Sequence, residues 1–275
     1  MYCTVNGEKA FAYTGSRPSI EGQPNLVFVH GAGLDHTVWV MQARYFAHHG
    51  YNVYAVDLPG HGRSEGSACS SIEDYADWVQ AFSDTVGADS AVIVGHSLGS
   101  LITLEAAARH SSTFIAAAMV GVAVPMGVAE PLQNAADANA HQAFDMVTVW
   151  GLSMPAQVGG GPHVPGVWLT ASSLRLFERS RPGVLGNDLR CCNEYKDGET
   201  RAASVSQPAL VLLGQLDMMT PPKAARSLIQ ALPNASVTVI DTCGHMLMNE
   251  QPDAVLDALI PFAANAYAVS AKAPT

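Results

Sequence analysis

The sequence predicts an α/β protein with a mostly parallel central sheet, helices on both of its faces and an inserted helical cap. Three observations carry this. Short apolar runs alternate with helical stretches of about ten to fifteen residues, the rhythm of βα units. The runs Leu26–Val29, Val53–Val56, Ala91–Val94 and Ala209–Leu213 lack in-and-out alternation, as strands buried on both faces do. One stretch, Met126 to Ala203, is too long for a simple connection between sheet elements.

Taken in order, the first thirty residues read as two short strands and a third at Leu26–Val29. Val38, Met41, Tyr45 and Phe46 share helical spacing and predict a helix over Thr37–His49. Val53–Val56 is the next strand, and it runs into Asp57-Leu58-Pro59-Gly60-His61-Gly62-Arg63-Ser64. Ser71-Ile72-Glu73-Asp74 has the form of a capping box, in which the serine hydroxyl takes a free N–H of the first turn. It opens a helix to about Val86. Strand Ala91–Val94, a helix over Leu98–His110 and a buried strand over Ile115–Val124 follow. Beyond them, helical pieces are expected at Pro131–Trp150, Trp168–Arg179 and Pro182–Tyr195, with a mobile loop at Pro155–Pro162. Strands Ala209–Leu213 and Val237–Ile240 flank a helix that starts after Pro221-Pro222, because proline suits a first turn. A last helix begins near Pro252, and Val269–Thr275 is expected to fray. The predicted core is therefore 1–125 with 204–275. Residues 126–203 form the cap, since insertions after sheet strands sit where binding sites lie.

Composition narrows the function. Of 275 residues, 48% are hydrophobic and 14% charged, enough for one large core and too apolar for extended disorder. The net charge is -10, with no Lys/Arg block. Neither nucleic acid nor an anionic membrane is an expected partner. No apolar run reaches membrane-spanning length. The start, Met1–Glu8, has neither a basic leader nor an apolar stretch. Cys3, Cys69, Cys191, Cys192 and Cys243 show no disulfide-like or zinc-like spacing. A cytoplasmic protein with reduced thiols is the expectation. No Gly-x-Gly-x-x-Gly loop marks a dinucleotide cofactor. His48 and His49 would point about 100° apart on a helix, so no metal site is expected either.

The chemistry concentrates in Gly95-His96-Ser97-Leu98-Gly99, which lies between an apolar strand and a helix. A serine flanked in this way reads as a nucleophile elbow. The turn is tight enough that residues two positions away can carry almost no side chain, and glycine meets that demand. Ser97 then lies at a helix N-terminus, where free N–H groups meet developing negative charge. A serine hydroxyl needs a base, and the base needs a partner that fixes its tautomer. His30, His61 and His245 compete for the role of base. Asp217 follows a buried strand, and His245 follows the next one.

These motifs together resemble the α/β-hydrolase superfamily, in particular its capped serine esterase-like members. The resemblance rests on His30-Gly31, the Asp57–Ser64 segment, the elbow, Gly214 with Asp217, and Gly244-His245 followed by Glu250-Gln251-Pro252, and it spans nearly the whole chain. It implies Ser97 as nucleophile, His245 as general base and then acid, and Asp217 as the carboxylate that orients it. It also implies an oxyanion hole from the backbone N–H groups of Leu98 and Ala32. His30 and His61 are then loop architecture, with Asp57 and Arg63 as possible partners of His61. Gly33, His96, Met146, Trp150, Trp168, Met218 and Met246 are candidates for the pocket wall. The implied activity is hydrolysis of small to medium, largely apolar carboxylic esters, the ester being the partner and no cofactor being needed. Carbon–carbon bond hydrolysis of diketone ring-cleavage products stays open, as Arg175 or Arg179 could hold a carboxylate. Lactonase, amidase and perhydrolase or acyltransferase chemistry, and a ligand receptor on the same scaffold, stay open too. Haloalkane dehalogenation needs a carboxylate nucleophile, and Ser97 argues against it.

Overall fold

The computed structural model describes residues 1–159 and 167–270. Eight strands form one sheet in the order β1-β2-β4-β3-β5-β6-β7-β8. They are β1 (Tyr2–Val5), β2 (Glu8–Tyr13), β3 (Asn25–Val29), β4 (Asn52–Asp57), β5 (Ala91–His96), β6 (Phe114–Val120), β7 (Ala209–Gly214) and β8 (Ala235–Ile240). The first two are antiparallel to their neighbours, and all pairs from β4 to β8 are parallel. The expected α/β-hydrolase architecture is present.

Helices α1 (Val40–His48) and α12 (Pro252–Ser270) cover one face of the sheet; α2 (Ile72–Val86), α3 (Leu98–Arg109) and α10 (Arg226–Ala231) cover the other. On β3, Leu26 and Phe28 enter one core cluster, whereas Val27 and Val29 enter the other. Both sides of the strand are therefore dry, which is why it reads as an unbroken apolar run. The expectation fails at β8, an edge strand whose Val237 and Val239 are 42% and 47% exposed. Ser71 caps α2 as its motif predicts, accepting the Asp74 N–H at 3.0 Å.

Between β6 and β7 lie α4 (Glu130–Asp137), α5 (His141–Gly151), α6 (Met154–Gln157), α7 (Leu169–Glu178), α8 (Val184–Glu194) and α9 (Gly198–Ser204). Several local expectations need correction. The single helical piece at Pro131–Trp150 is two helices, broken where Asn139 takes a φ of +50°, a conformation that a helix cannot continue through. The loop expected from Pro155 begins instead as the helical turn α6: Ser153 caps it, and the Gln157 side chain donates to the Val149 and Leu152 carbonyls at 2.8 Å each. The rest of that loop from residue 160, and the tail beyond residue 270, lie outside the described residues. Strand β6 stops at Val120 rather than Val124, because Gly121 turns the chain with a φ of +62°. Two short helices, α9 and α11 (Leu247–Glu250), carry too few periodic positions to announce themselves.

The parallel strands all end at one edge of the sheet. The loops after β3, β4, β5, β6, β7 and β8 converge there, the usual location of a site in an open parallel sheet. Among the described residues no helix is long and apolar enough to cross a membrane, and all five cysteines are free thiols.

Phe28 is fully buried, its ring 5.2 Å from Trp39 and 6.2 Å from Phe46. Replacing Phe28 with alanine leaves a cavity that this aromatic layer cannot collapse into. We expect it to lower the unfolding free energy by about 3–5 kcal/mol, measured by urea unfolding.

Candidate active site

Ser97 occupies the turn between β5 and α3 with φ +54° and ψ -116°, a conformation that disfavours residues with a side chain. The surrounding backbone enforces it. A Cβ on Gly95 would come within 1.9 Å of the Gly99 carbonyl oxygen, and one on Gly99 within 2.5 Å of the carbonyl oxygens of Val29 and His30. Each glycine is thus required by a close approach of strand and helix. The Ser97 N–H donates to the Val120 carbonyl at 2.9 Å, so the turn is also tied sideways to β6.

His245 and Asp217 come together at the ends of β8 and β7. Nδ1 of His245 lies 2.7 Å from Oδ2 of Asp217, with both side chains buried. The carboxylate also accepts the Met219 and Thr220 N–H groups, each at 2.8 Å, and the Thr220 hydroxyl at 2.7 Å. Burial opposes ionisation of Asp217, but the His245 charge and these donors outweigh it, and the carboxyl titrates below its ordinary range. Nε2 of His245 is buried with no hydrogen-bond partner. Ser97, His96 and His245 line one cavity of about 340 Å³. Thr220 escaped the sequence reading; its proximity to Asp217 in the chain was the available signal.

The histidine loop is pinned on every side. The His245 N–H donates to the Gly151 carbonyl at 2.9 Å, the Gly244 N–H donates to buried Glu250 at 3.1 Å, and Nε2 of His96 donates to the His245 carbonyl at 2.9 Å. His96 therefore joins the elbow to the loop of His245 in addition to lining the cavity. His30 holds two neighbouring loops. Its Nδ1 donates to the Gly31 carbonyl at 2.9 Å, and its Nε2 accepts the Leu58 N–H at 3.1 Å.

Of the expected wall residues, His96, Trp150, Met218 and Met246 line the cavity. Three do not. Met146 is half-buried and packs against the core, Trp168 is 63% exposed, and Gly33 faces a second cavity with its N–H bound to Asp188. Ala32 is at the wall, and Leu98 is the first residue of α3. Sequence reasoning missed Met126, Val128 and Leu132, which follow β6, and Leu185 and Leu189 from the inserted helices. Their apolar character carried no mark to separate wall from core. His61 is likewise corrected: its partner is Asp188 on α8, at 2.8 Å, rather than Asp57 or Arg63. Asp57 instead accepts the His36 Nδ1–H and the N–H groups of His36 and Arg63. Asp35, His36 and Asp57 bring ligand-type atoms within 4.8 Å of one another, and in this arrangement Nδ1 of His36 and both Asp57 carboxylate oxygens are engaged in hydrogen bonds. Arg175 and Arg179 pair with Glu178 and Asp35, and neither lines the cavity.

Residues 26–258 match the alpha/beta hydrolase family. The chain belongs to that family. Among relatives of this hydrolase, the pimeloyl-acyl-carrier-protein methyl ester esterase of Nitrosospira multiformis is 27% identical over 87% of this chain and 94% of its own length. The enzyme of the same name from Chromobacterium violaceum is 30% identical over 83% and 90%. An (E)-2-((N-methylformamido)methylene)succinate hydrolase of Acinetobacter baylyi is 40% identical, but over 30% of this chain and 31% of that protein. Among solved structures, the enol-lactonase of Burkholderia xenovorans superposes with a TM-score of 0.84 at 23% identity, covering 96% of this chain and 100% of that one. A thermophilic esterase superposes with a TM-score of 0.80 at 25% identity, covering 97% of each.

Two buried histidines give the site a pH limit. Burial, followed by the neighbouring His61, pushes His30 down to about 4; burial, followed by His245, pushes His96 down to about 3. Unfolded, both titrate near 6.5. Below that pH the unfolded chain binds protons that the native chain refuses, so stability falls as pH falls from about 6.5 toward 4. The depressed Asp217 adds its own loss only at lower pH, as it is protonated. We expect the unfolding free energy in urea to drop by roughly 3 kcal/mol between pH 6.5 and 5.

Proposed function

We propose that this alpha/beta hydrolase cleaves neutral carboxylic esters of small to medium, largely apolar substrates, with Ser97 as nucleophile, His245 as general base and acid, and Asp217 as its orienting carboxylate. One observation carries the reading. His245 has Asp217 on one nitrogen and no partner on the other, and it shares a cavity with a serine held at φ +54°.

In this scheme Ser97 Oγ attacks the ester carbonyl carbon as its proton passes to His245 Nε2. The imidazolium that forms keeps its Nδ1–H on Asp217, which Thr220 holds in place. The carbonyl oxygen becomes an oxyanion, and the N–H groups of Leu98 and Ala32 receive it. His245 returns the proton to the departing alcohol and leaves an acyl-enzyme. Water, deprotonated by the same imidazole, then attacks the acyl carbon, and His245 returns the proton to Ser97 Oγ as the acid leaves. Residues 126–203 act as the cap over a core of 1–125 and 204–275, and α4, α5, α7 and α8 supply the apolar roof.

The cavity wall supports a neutral substrate. Among the described residues no Asp, Glu, Lys or Arg lines it. A carboxylate bound there would lose its water without gaining a counter-charge. The methyl ester esterases, alike over more than four-fifths of this chain, favour ester chemistry over carbon–carbon bond cleavage.

Two measurements test the assignment. Ser97→Ala is expected to abolish turnover of p-nitrophenyl butyrate and to leave the fold intact, whereas Asp217→Asn should lower kcat by about 10³–10⁴-fold. Wild-type-like activity in Ser97→Ala would end the reading. In a substrate series, neutral short- and medium-chain esters should exceed a matched half-ester of succinate in kcat/KM by about 100-fold or more, the scale set by leaving a charge unpaired.

A further inference from the structure

A second buried imidazole–carboxylate pair lies beside the site and has no part in acyl transfer. Asp188, on α8, is fully buried. Its Oδ2 accepts the Gly33 N–H at 2.9 Å and the His61 Nε2–H at 2.8 Å, and its Oδ1 accepts the Tyr75 hydroxyl at 2.8 Å. One carboxylate thus gathers the loop after β3, the loop after β4, helix α2 and an inserted helix. The other nitrogen of His61 donates to the Pro59 carbonyl at 2.9 Å. Both ring nitrogens face acceptors, which favours the imidazolium. Burial opposes that charge, and Asp188 overcomes it and raises the ring above its ordinary range.

Stability gives a weak reason for this arrangement. Burying two charges costs several kcal/mol of desolvation, and apolar side chains of the same volume often do as well. Position gives a better one. Gly31 to Leu34 form a four-residue turn closed by the Leu34 N–H on the Gly31 carbonyl at 3.2 Å. Gly33 has a φ of +66° and Ala32 has no positive φ, the pattern of a type II turn. Type II differs from type I by a flip of the central peptide, here the Ala32 carbonyl with the Gly33 N–H. Asp188 accepts that N–H. Flipped, the peptide would point its carbonyl at a carboxylate.

We infer that Asp188 is a positioning residue: from the inserted helix it fixes the central peptide of the Gly31–Leu34 turn, and thereby the backbone of Ala32, whose own N–H on the preceding peptide is offered to the substrate oxygen. This rests on the reading of Ala32 as an oxyanion donor.

The test compares Asp188→Ala, Asp188→Asn and Tyr195→Phe. Asparagine keeps an acceptor for Gly33 and turns its amide toward the Tyr75 oxygen. Tyr195→Phe removes a different buried bond, made just past the end of α8: the 2.8 Å contact of the tyrosine hydroxyl with Glu105 on α3, which does not involve the turn. With p-nitrophenyl butyrate, Asp188→Ala should lose about 10–100-fold in kcat with KM within about threefold, somewhat less than deleting an oxyanion donor outright. Asp188→Asn should stay within about fivefold of wild type and Tyr195→Phe within about twofold, on the same scale. Amide hydrogen exchange over residues 31–35 should quicken in Asp188→Ala and in neither of the others. Where Asp188→Ala does not fold, the double variant Asp188→Leu with His61→Leu removes both charges together and should show the same loss of kcat and the same faster exchange. Unchanged kcat in Asp188→Ala, an equal loss in Tyr195→Phe, or wild-type exchange of the turn would each overturn the inference. A wild-type protein inactive on every ester would defeat the ester reading instead, and the exchange measurement would still decide whether Asp188 holds the turn.

Discussion

Ser97 sits in a backbone conformation that few residues with a side chain adopt, and the sheet and helix around it are packed so closely that no relaxed alternative is open. Such strain is on the order of 1–3 kcal/mol and persists only where its surroundings over-determine it. Here the surroundings are Gly95 under the Gly99 carbonyl, Gly99 against the end of β3, and the hydrogen bond from Ser97 to Val120. These contacts belong to β3, β5, β6 and α3 together, so the position of one hydroxyl depends on the assembly of the whole central sheet. The parallel order of the strands then brings the ends of β7 and β8, with Asp217 and His245, to the same edge.

The buried polar groups around the cavity follow one rule: each holds a loop. His30 bridges two loops as a neutral ring, and His96 joins the elbow to the His245 carbonyl as a neutral ring. Glu250 accepts the N–H groups of Ser153 and Gly244. The apolar cavity above would be shapeless without these ties, since loops at a sheet edge have few backbone partners of their own. The inserted helices take part as well: the Gly151 carbonyl receives the N–H groups of both His245 and Met246.

Much of this was legible in the sequence, for a physical reason. The elbow needs two glycines and a serine at fixed spacing, and strands buried on both faces need unbroken apolar runs; both demands are local and leave local marks. The pairing of Asp217 with His245 was legible through chain order. What could not be read depends on partners far apart. His61 looked toward Asp57 and Arg63, its neighbours in sequence, but its partner is 127 residues away. Trp168 and Met146 looked like wall residues because they are large and apolar, yet they stay off the wall, while Met126, Leu132 and Leu185, which share that description, join Trp150, Met218 and Met246 on it. Asn139 broke a helix that its neighbours' periodicity had joined, since one residue at positive φ outweighs a pattern of side chains.

Among the described residues three histidine–aspartate pairs are buried: His245 with Asp217, His61 with Asp188 and His36 with Asp57. Their first bonds are alike, within 2.7–2.8 Å, so the pair alone decides nothing about chemistry. The environment of the second nitrogen does. In His61 it is closed by the Pro59 carbonyl, which favours a charged ring and leaves no base. His36 lines the second cavity, which Ser97 does not reach. His245 alone of the three pairs joins Ser97 at one cavity, with its second nitrogen unpartnered. A general base must keep a lone pair within reach of the proton it takes, and His61, with an acceptor at each nitrogen, has none to offer. The same two side chains therefore differ in what they can do according to whether a backbone carbonyl closes the ring: the His245 pair keeps a nitrogen open in the cavity of Ser97, and the His61 pair keeps none.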